Sequence, residues 1–555
     1  MKTTHALACR ALLAAALLGL GACSPGVDVD VTVYINNGSL DPFVNADKVR
    51  VTAIGIDEAS GQPEILKSRE FAAKSGKAKL GLIKFAAGMM IKVEALSADG
   101  SVVAYGGSAL HDILQDTPTE DVPAEIFAFV TPVNIVVRAV AKDGVTESTL
   151  PGGRIGHTTT VLEDGRVLIT GGGQALMTAL GTLGNIDPMT ISKTAELYDP
   201  ESGRFVLISN GMGDPNPLNF PRAFHTATLL PDGAVLLAGG LTVSAGNLAT
   251  LNSAETFEYP GCVLPAPSDI IQQATCGFIP VSNIMADARG RHTATLRNDG
   301  SVLMAGGTNE QEGMEPVYLA TTDLYTRVGG FAAGGAAPMS DERAYHTATL
   351  LPDGTVLVTG GVGTNATSGD PEVLSSVELY TGTGWMSLGA MSTARAGHTA
   401  NLATVETGDE WVLVTGGFTD IDPSGVFSMP TSLVESFEPG VGFDPALARI
   451  IEGMQNGLAQ HTATTLPDGR IVVLGGKTAG NLSTVFVTII TPRTMAGGGP
   501  AFLTNPMTLL MTPRALHTAA LLPSGQVIAI GGFMASGSTP VTHANAEVLA
   551  APVPR

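Results

Sequence analysis

Residues 343–361 read RAYHTATLLPDGTVLVTGG, and near copies start at Arg222 (RAFHTATLLPDGAVLLAGG) and Arg514 (RALHTAALLPSGQVIAIGG). Each copy is an apolar, β-rich run, a Pro-Asp-Gly or Pro-Ser-Gly turn, and a second such run closed by paired glycines. Asp-Gly between apolar runs is the strongest short-range signal for a hairpin. The histidine of the phrase recurs at His157, His225, His292, His346, His398, His461 and His517, seven times at intervals of 52 to 68 residues. Most copies carry a third strand further on: AELYDP from 195, AETFEYP from 254, TTDLYT from 321, SVELYT from 376, LVESFEP from 433 and NAEVLA from 545. A fourth, weaker strand follows, as in GWMSLGAM from 384. Four short antiparallel strands per unit, repeated around an axis, make propeller blades and leave few sheet edges exposed. The period predicts an all-β fold with seven blades over residues 141–555.

The seventh copy ends soon after its third strand, with only APVPR beyond Ala550. Its outer strand therefore has to come from elsewhere. Counting back from Arg154 by the spacing of the other copies points to residues 143–150 as the strand that closes the ring.

One active site needs one constellation, so seven equivalent histidines are read as structural, each satisfied by backbone or hydroxyl partners. Three residues before the histidine stands an arginine in six copies: Arg154, Arg222, Arg289, Arg343, Arg395 and Arg514. The third strand carries a carboxylate at matching places: Glu196, Glu255, Asp323, Glu378, Glu435 and Glu547. The sixth copy has Leu458 instead of the arginine and, aligned through Pro492 and Pro200, Thr488 instead of the carboxylate. Both charges are missing from one unit. First and third strands run the same way, about 10 Å apart, so a buried ion pair within each blade, or between neighbours, is expected.

The paired glycines, the preceding arginine and the third-strand aromatic resemble the kelch repeat. The HTATLLPDG form is most similar to bacterial kelch proteins and to galactose-oxidase-type propellers. The resemblance runs from Arg154 to the end of the chain and implies a seven-bladed kelch-type propeller. Galactose oxidases also build a copper site on a Tyr-His pair of this repeat, and Tyr345-His346 stands at the matching place. Their second tyrosine, cross-linked to a cysteine, has no counterpart: the corresponding pairs include Ile155-Gly156, Ala223-Phe224 and Ala396-Gly397, and no remaining cysteine lies near a first strand. His543 offers one more ligand, which still leaves the set incomplete. No cofactor, metal or catalytic residue is expected.

Residues 31–140 differ in style. VDVDVTVYIN, KVRVTAIGID, MIKVEALSAD and VNIVVRAV alternate apolar and polar residues between Asn-Gly and Asp-Gly turns, the pattern of half-buried antiparallel strands. A small immunoglobulin-like β-sandwich is expected there, with SALHDILQD (108–116) as the best helical candidate. Ahead of it, MKTTHALACR and the apolar run ALLAAALLGLG precede Leu20-Gly21-Ala22-Cys23. The run is too short to span a bilayer and reads as a signal segment, residues 1–22. Its end resembles the bacterial lipobox, which implies acylation of Cys23, a tether over residues 23–30 and, with Ser24 following, sorting to the outer membrane. The expected address is the cell envelope, with the bilayer itself as a partner. Removing Cys9 and Cys23 leaves Cys262 and Cys276, an even pair read as a disulfide in an exported protein. Two free thiols or a metal pair are the other readings.

A net charge of −21 repels nucleic acid phosphates, so no nucleic acid partner is expected. Only 15% of residues are charged and 68 are glycine, as suits a turn-rich β-protein. Topology puts the Pro-Asp-Gly turns on one rim and the long variable segments 174–193, 241–252, 308–318, 362–374 and 418–432 on the other. Recognition usually resides in such loops. The motifs of serine hydrolases, zincins and P-loops are absent. The favoured reading is a lipid-anchored module that binds a protein or glycan. Its alternative is an extracytoplasmic carbohydrate-active enzyme, either galactose-oxidase-like or a glycosidase with paired carboxylates.

Overall fold

The computed structural model describes residues 26–551 apart from 36–42, 58–62, 74–76, 85, 109, 114–124, 134–135, 141–146, 177–185, 201, 211–212, 216, 264–272, 333–334, 406–407, 444–448, 451–456, 481, 495–499 and 536–539. The expected signal segment and Cys23 lie outside the described residues. Regular structure among the described residues is β throughout, save one 3-10 turn at Pro188–Thr190.

Each copy of the repeat folds as one antiparallel blade. Blade 4 shows the pattern: Thr347–Leu350, Val356–Thr359, Ser376–Tyr380 and Trp385–Ala390 pair in chain order. The second strand, VLVT, is buried along its whole length because both faces pack against neighbouring blades. The first strand, TATL, is half-buried and lies nearest the axis. Asp353 accepts a hydrogen bond from the Thr355 amide at 3.0 Å, which shapes the Pro-Asp-Gly turn between them. Each first strand touches the first strand of the next blade, and the seventh touches the first. Seven blades therefore form a closed β-propeller. Blades 1 and 2 are additionally joined at their outer edges, where Leu207–Ser209 pairs in parallel with Gln273–Thr275.

The paired glycines make the blade-to-blade contact. Gly360 has φ 59°, and a Cβ placed on it would lie 2.4 Å from the Arg395 carbonyl oxygen of the following blade. Gly361 donates its amide to that same carbonyl at 2.9 Å. The equivalent bond recurs at all seven junctions at 2.7–2.9 Å, ending with Gly532 to Arg154, which closes the circle. A side chain at the first glycine would push two blades apart, so the glycines belong to ring closure as much as to the turn.

The chain closes the ring from its N-terminal side, but with a different segment from the one expected. The first three strands of blade 7 are Thr518–Leu521, Val527–Ile530 and Ala546–Leu549. Its outer strand is Val136–Arg138, paired antiparallel as Val137 to Val548 and Arg138 to Glu547. Of residues 143–150 the described ones, 147–150, do not supply that strand: Glu147 and Thr149 form single bridges, to Val140 and Asn545. Counting back from Arg154 assumed an ordinary inter-blade link. Here the link doubles back, with Ser148 donating to the Ala139 carbonyl at 2.9 Å. The propeller thus begins at 136, within the stretch assigned above to the first domain.

The N-terminal domain comprises β1 (Gly26–Ile35), β2 (Lys48–Ile56), β3 (Pro63–Ala72), β4 (Lys77–Lys84), β5 (Ala86–Leu96), β6 (Val102–Gly107), β7 (His111–Ile113) and β8 (Glu125–Pro132). Its first strand starts at Gly26, inside the span expected to be tether. A two-sheet sandwich would hydrogen-bond as two ladders. The ladder here is continuous, in the order β3-β2-β5-β6-β8-β1-β4, and β1 runs parallel to β8. Alternation places Val49, Val51, Ala53, Ile91, Val93 and Ala95 in one core. The helix expected over 108–116 is not formed at its centre: His111–Ile113 is a strand on β5, where pairing outweighs a short local helical preference. The domain rests on the turn rim of blades 7 and 1. Tyr105 donates to the Gly525 carbonyl at 3.2 Å, Gln526 Nε2 to Thr131 Oγ1 at 2.7 Å, and the Leu110 amide to the Asp164 carbonyl at 3.0 Å. Blade 7 has Pro-Ser-Gly-Gln at this turn. Ser524 and Gln526 bring hydrogen bonds to a buried surface without a charge to desolvate.

Candidate functional site: the axial pocket on the loop rim

The long second-to-third connections form a crown. Five of them fold as two-stranded ribbons: Leu241–Ser244 with Asn247–Thr250, Thr308–Asn309 with Val317–Tyr318, Val362–Thr364 with Pro371–Val373, Phe418–Ile421 with Phe427–Pro430, and Phe533–Met534 with Val541–Thr542. The ribbons of blades 3, 4 and 5 touch in succession. Where they begin, at the axis, lies a cavity of about 320 Å³.

Its lining comes from one repeat position and the histidine after it. Gly156, Phe224, Arg291, Tyr345, Gly397, Gln460 and Leu516 each precede a repeat histidine. All seven have positive φ, between 51° and 64°. A side-chain-bearing residue in this conformation costs about 1–3 kcal/mol and persists only where its surroundings enforce it. The enforcement is visible: the Phe224 amide donates to the Gly156 carbonyl, Arg291 to Phe224, Gly397 to Tyr345 and Gln460 to Gly397, at 2.7–3.0 Å. Five side chains are thereby held around one axis.

Blades 2 to 4 supply a stacked wall. The Arg291 guanidinium lies 4.4 Å from the Phe224 ring centre and 5.3 Å from that of Tyr345. Its Nη1 meets Glu310 Oε1 at 2.7 Å. Burial opposes the Arg291 cation, and Glu310 with the phenols of Tyr345 and Tyr318 more than offsets it, so its pKa stands above the ordinary value. Burial also pushes the Tyr345 phenol upward, keeping it protonated. Blades 6 and 7 contribute Gln460 and Leu516. Next to Gln460, Ala459 bridges Lys477, a buried lysine 5.2 Å from the Phe533 ring centre whose pKa burial lowers to about 8.

The seven histidines form a layer beneath these residues, and each reaches back one blade. Nε2 of His225, His292, His346, His398, His461 and His517 lies 2.9–3.2 Å from Oγ1 of Thr158, Thr226, Thr293, Thr347, Thr399 and Thr462. His157 closes the circle on Thr518 at 2.8 Å. Burial, then the arginine cation of the same repeat, holds His157 and His346 down to about 3; burial and Arg395 do the same for His461. The other four also lie well below 6.5, with burial first among the causes. All are neutral at pH 7. They line the cavity wall and brace the blades.

The arginines and third-strand carboxylates meet inside each blade. Arg154 is bidentate on Glu196 at 3.0 Å for both bonds. Arg222 meets Glu255 at 2.6 Å, Arg289 Asp323 at 2.6 Å, Arg343 Glu378 at 2.8 Å and Arg514 Glu547 at 2.5 Å; Arg395 pairs with Glu435. Each arginine also donates to the carbonyl of the first paired glycine, as Arg343 does to Gly360 at 2.8 Å. The carboxylate in turn accepts the amide three residues before the arginine, as Glu378 does from Ser340 at 2.7 Å. In blade 1 that position is Pro151, which has no amide hydrogen. These pairs lie inside the blades and are not among the residues that line the axial cavity.

Cys276 is buried and disulfide-bonded. The side chain of Cys262 is outside the described set. The ladder pairs Val263 with Thr275, placing both cysteines one residue further along on facing strands.

The copper reading does not fit these residues. His346 Nε2 is held by Thr293 at 3.0 Å, and Tyr345 packs edge-on against Phe427 with ring centres 5.7 Å apart. His543 Nε2 sits 3.0 Å from the Pro513 carbonyl. Among the described residues no three or more His, Cys, Asp or Glu side chains converge as a metal-binding set. The residues that build the pocket are the variable ones of the repeat, not the constant histidine alone. Their signal was present: in a nearly invariant phrase, the position before the histidine runs Gly, Phe, Arg, Tyr, Gly, Gln, Leu.

No protein-family model matches the chain. Among solved structures, that of YjhT is similar over 59% of this chain and 94% of its own, at 12% identity and a TM-score of 0.39. A fungal alcohol oxidase of the AA5 family, in complex with copper, is similar over 75% of this chain and 76% of its own, at 14% identity and a TM-score of 0.48. Both likenesses concern the fold, and no ligand or chemistry is carried across from them.

Proposed function

We propose that the chain is a binding module of the bacterial cell envelope, tethered through an acylated Cys23 and presenting its loop rim to a protein partner. The observation that carries this reading is the contrast between the two rims. The N-terminal domain, on the anchored side of the chain, sits against the turn rim. The ribbons and the axial pocket lie on the opposite rim. Around the pocket the second-to-third connections expose Met189, Met314, Val317, Met429, Leu482 and Val541. Exposed apolar side chains grouped on one face mark association surfaces, and methionine adapts to varied partners. No aspartate or glutamate is among the pocket-lining residues, which disfavours a two-carboxylate glycosidase there.

The test is capture from envelope extracts with the full mature chain. Met314→Glu with Met429→Glu should abolish capture of whatever the native protein retains, while Asp353→Lys on the turn rim should leave it intact. The opposite result would overturn the orientation. For the anchor, labelled palmitate should enter the native protein and not Cys23→Ser.

A further inference from the structure

Gln460 is the polar pocket residue with no side-chain hydrogen bond at all, where each ring histidine leaves only Nδ1 unmet. It is 6% exposed, its backbone is held at φ 53°, and neither Oε1 nor Nε2 has a hydrogen-bond partner within the protein. Burying an amide without partners is costly, and a strained backbone adds to that cost. Leu516 occupies the equivalent position in blade 7 at φ 51°, so the conformation does not require an amide. A leucine at 460 would suit a purely structural role better.

The rest of the lining restricts what would meet this amide. The Arg291 cation is neutralised by Glu310, the seven imidazoles are neutral, and no carboxylate lines the cavity. A charged group entering would lose its hydration without finding a counter-charge. The ligand group is therefore neutral, and it offers a donor beside an acceptor to match Oε1 and Nε2. A second carboxamide does this in one plane with two parallel bonds. The cavity, about 320 Å³, is at the small end for ligand sites and suits one inserted side chain. The exposed methionines around it supply the apolar contact that a protein surface, more than a free solute, would use.

From this we infer that the partner inserts an asparagine or glutamine side chain into the axial pocket, where its carboxamide pairs with that of Gln460. The inference rests on the loop rim being the docking face, as proposed above.

The probes are Nα-acetyl methylamides of glutamine, asparagine, glutamate and leucine, with methyl glucoside as the sugar control, titrated by ligand-observed NMR against the full mature chain. The glutamine or asparagine probe should bind saturably, and Gln460→Leu should weaken it by about tenfold. The glutamate, leucine and sugar probes should bind more weakly than the carboxamides to the native protein. Without ligand, Gln460→Leu should melt no lower than native, since it removes an unmet amide. A lowered melting temperature would mark the amide as structural and overturn the inference. So would a tighter sugar or glutamate complex, or carboxamide binding indifferent to Gln460→Leu. If the probes fail while capture still depends on Met314 and Met429, this inference falls and the docking face stands. If capture ignores the loop-rim charges, the reading beneath it falls as well.

Discussion

Blades 4 and 6 pair their first three strands in the same register and have opposite interiors. In blade 4, Arg343 bridges the Glu378 carboxylate and the Gly360 carbonyl, and Glu378 gathers the amides of Ser340 and Asp341. In blade 6, Leu458 packs with Ile471, Val473 and Ile490, while Thr488 faces Val473 as Glu378 faces Val358. Both blades nevertheless bond to the next through the same glycine amide and place the repeat histidine, His346 or His461, on the previous blade's threonine. The charge clamp is therefore one of two sufficient solutions. A buried ion pair recovers little more than its desolvation costs, so an apolar pair of similar shape can replace it; removing half of it is another matter.

The largest expected effect concerns what the two blades share. Every imidazole of the ring is neutral when folded: burial holds His157, His346 and His461 down to about 3 and the other four well below 6.5. The unfolded chain binds protons first, so this contribution is complete above about pH 6.5 and is lost as pH falls toward 3. Each histidine adds up to about 1.4 kcal/mol per pH unit within that window. Urea midpoints measured from pH 7.5 to 5 should fall steeply; a flat profile would break the shared part of the comparison.

The next effect separates the blades. Arg343→Leu should cost about 3–5 kcal/mol in chemical denaturation, because Glu378 is left buried without its cation. Adding Glu378→Thr, which rebuilds the blade 6 interior inside blade 4, should return most of that loss. Additive losses would show that the clamp is worth more than its replacement. The smallest effect separates the blades once more: Thr462→Val removes the threonine hydroxyl from His517 and should cost about 1 kcal/mol, while Thr347→Val leaves Thr359 Oγ1 on His398 at 3.0 Å and should cost less. Equal losses would mean that the second hydroxyl does nothing for the histidine.

Much of this was legible in the chain. The pairing of arginine with carboxylate, and its joint loss at Leu458 and Thr488, followed from strand register, which is local and periodic. The crown was legible as variable segments, though not as ribbons. The closing strand was misplaced because the doubled-back link around Ala139 and Ser148 has no counterpart among the other blades. The helical pattern over 108–116 loses, at residues 111–113, to pairing with β5, a partner distant in sequence. Gln460 escaped notice because, within one repeat, the residue before the histidine looks like neutral variation.

By itself the sequence determined the repeat, the blade, the glycine junctions and the charge clamps, since each depends on residues within one period or on the next period's identical copy. Only the closed ring decided that seven variable residues, from 156 to 516, would share one cavity, and that residues 136–138 would complete the last blade. Those outcomes depend on where strands far apart in the chain meet around an axis, and no single repeat contains that geometry.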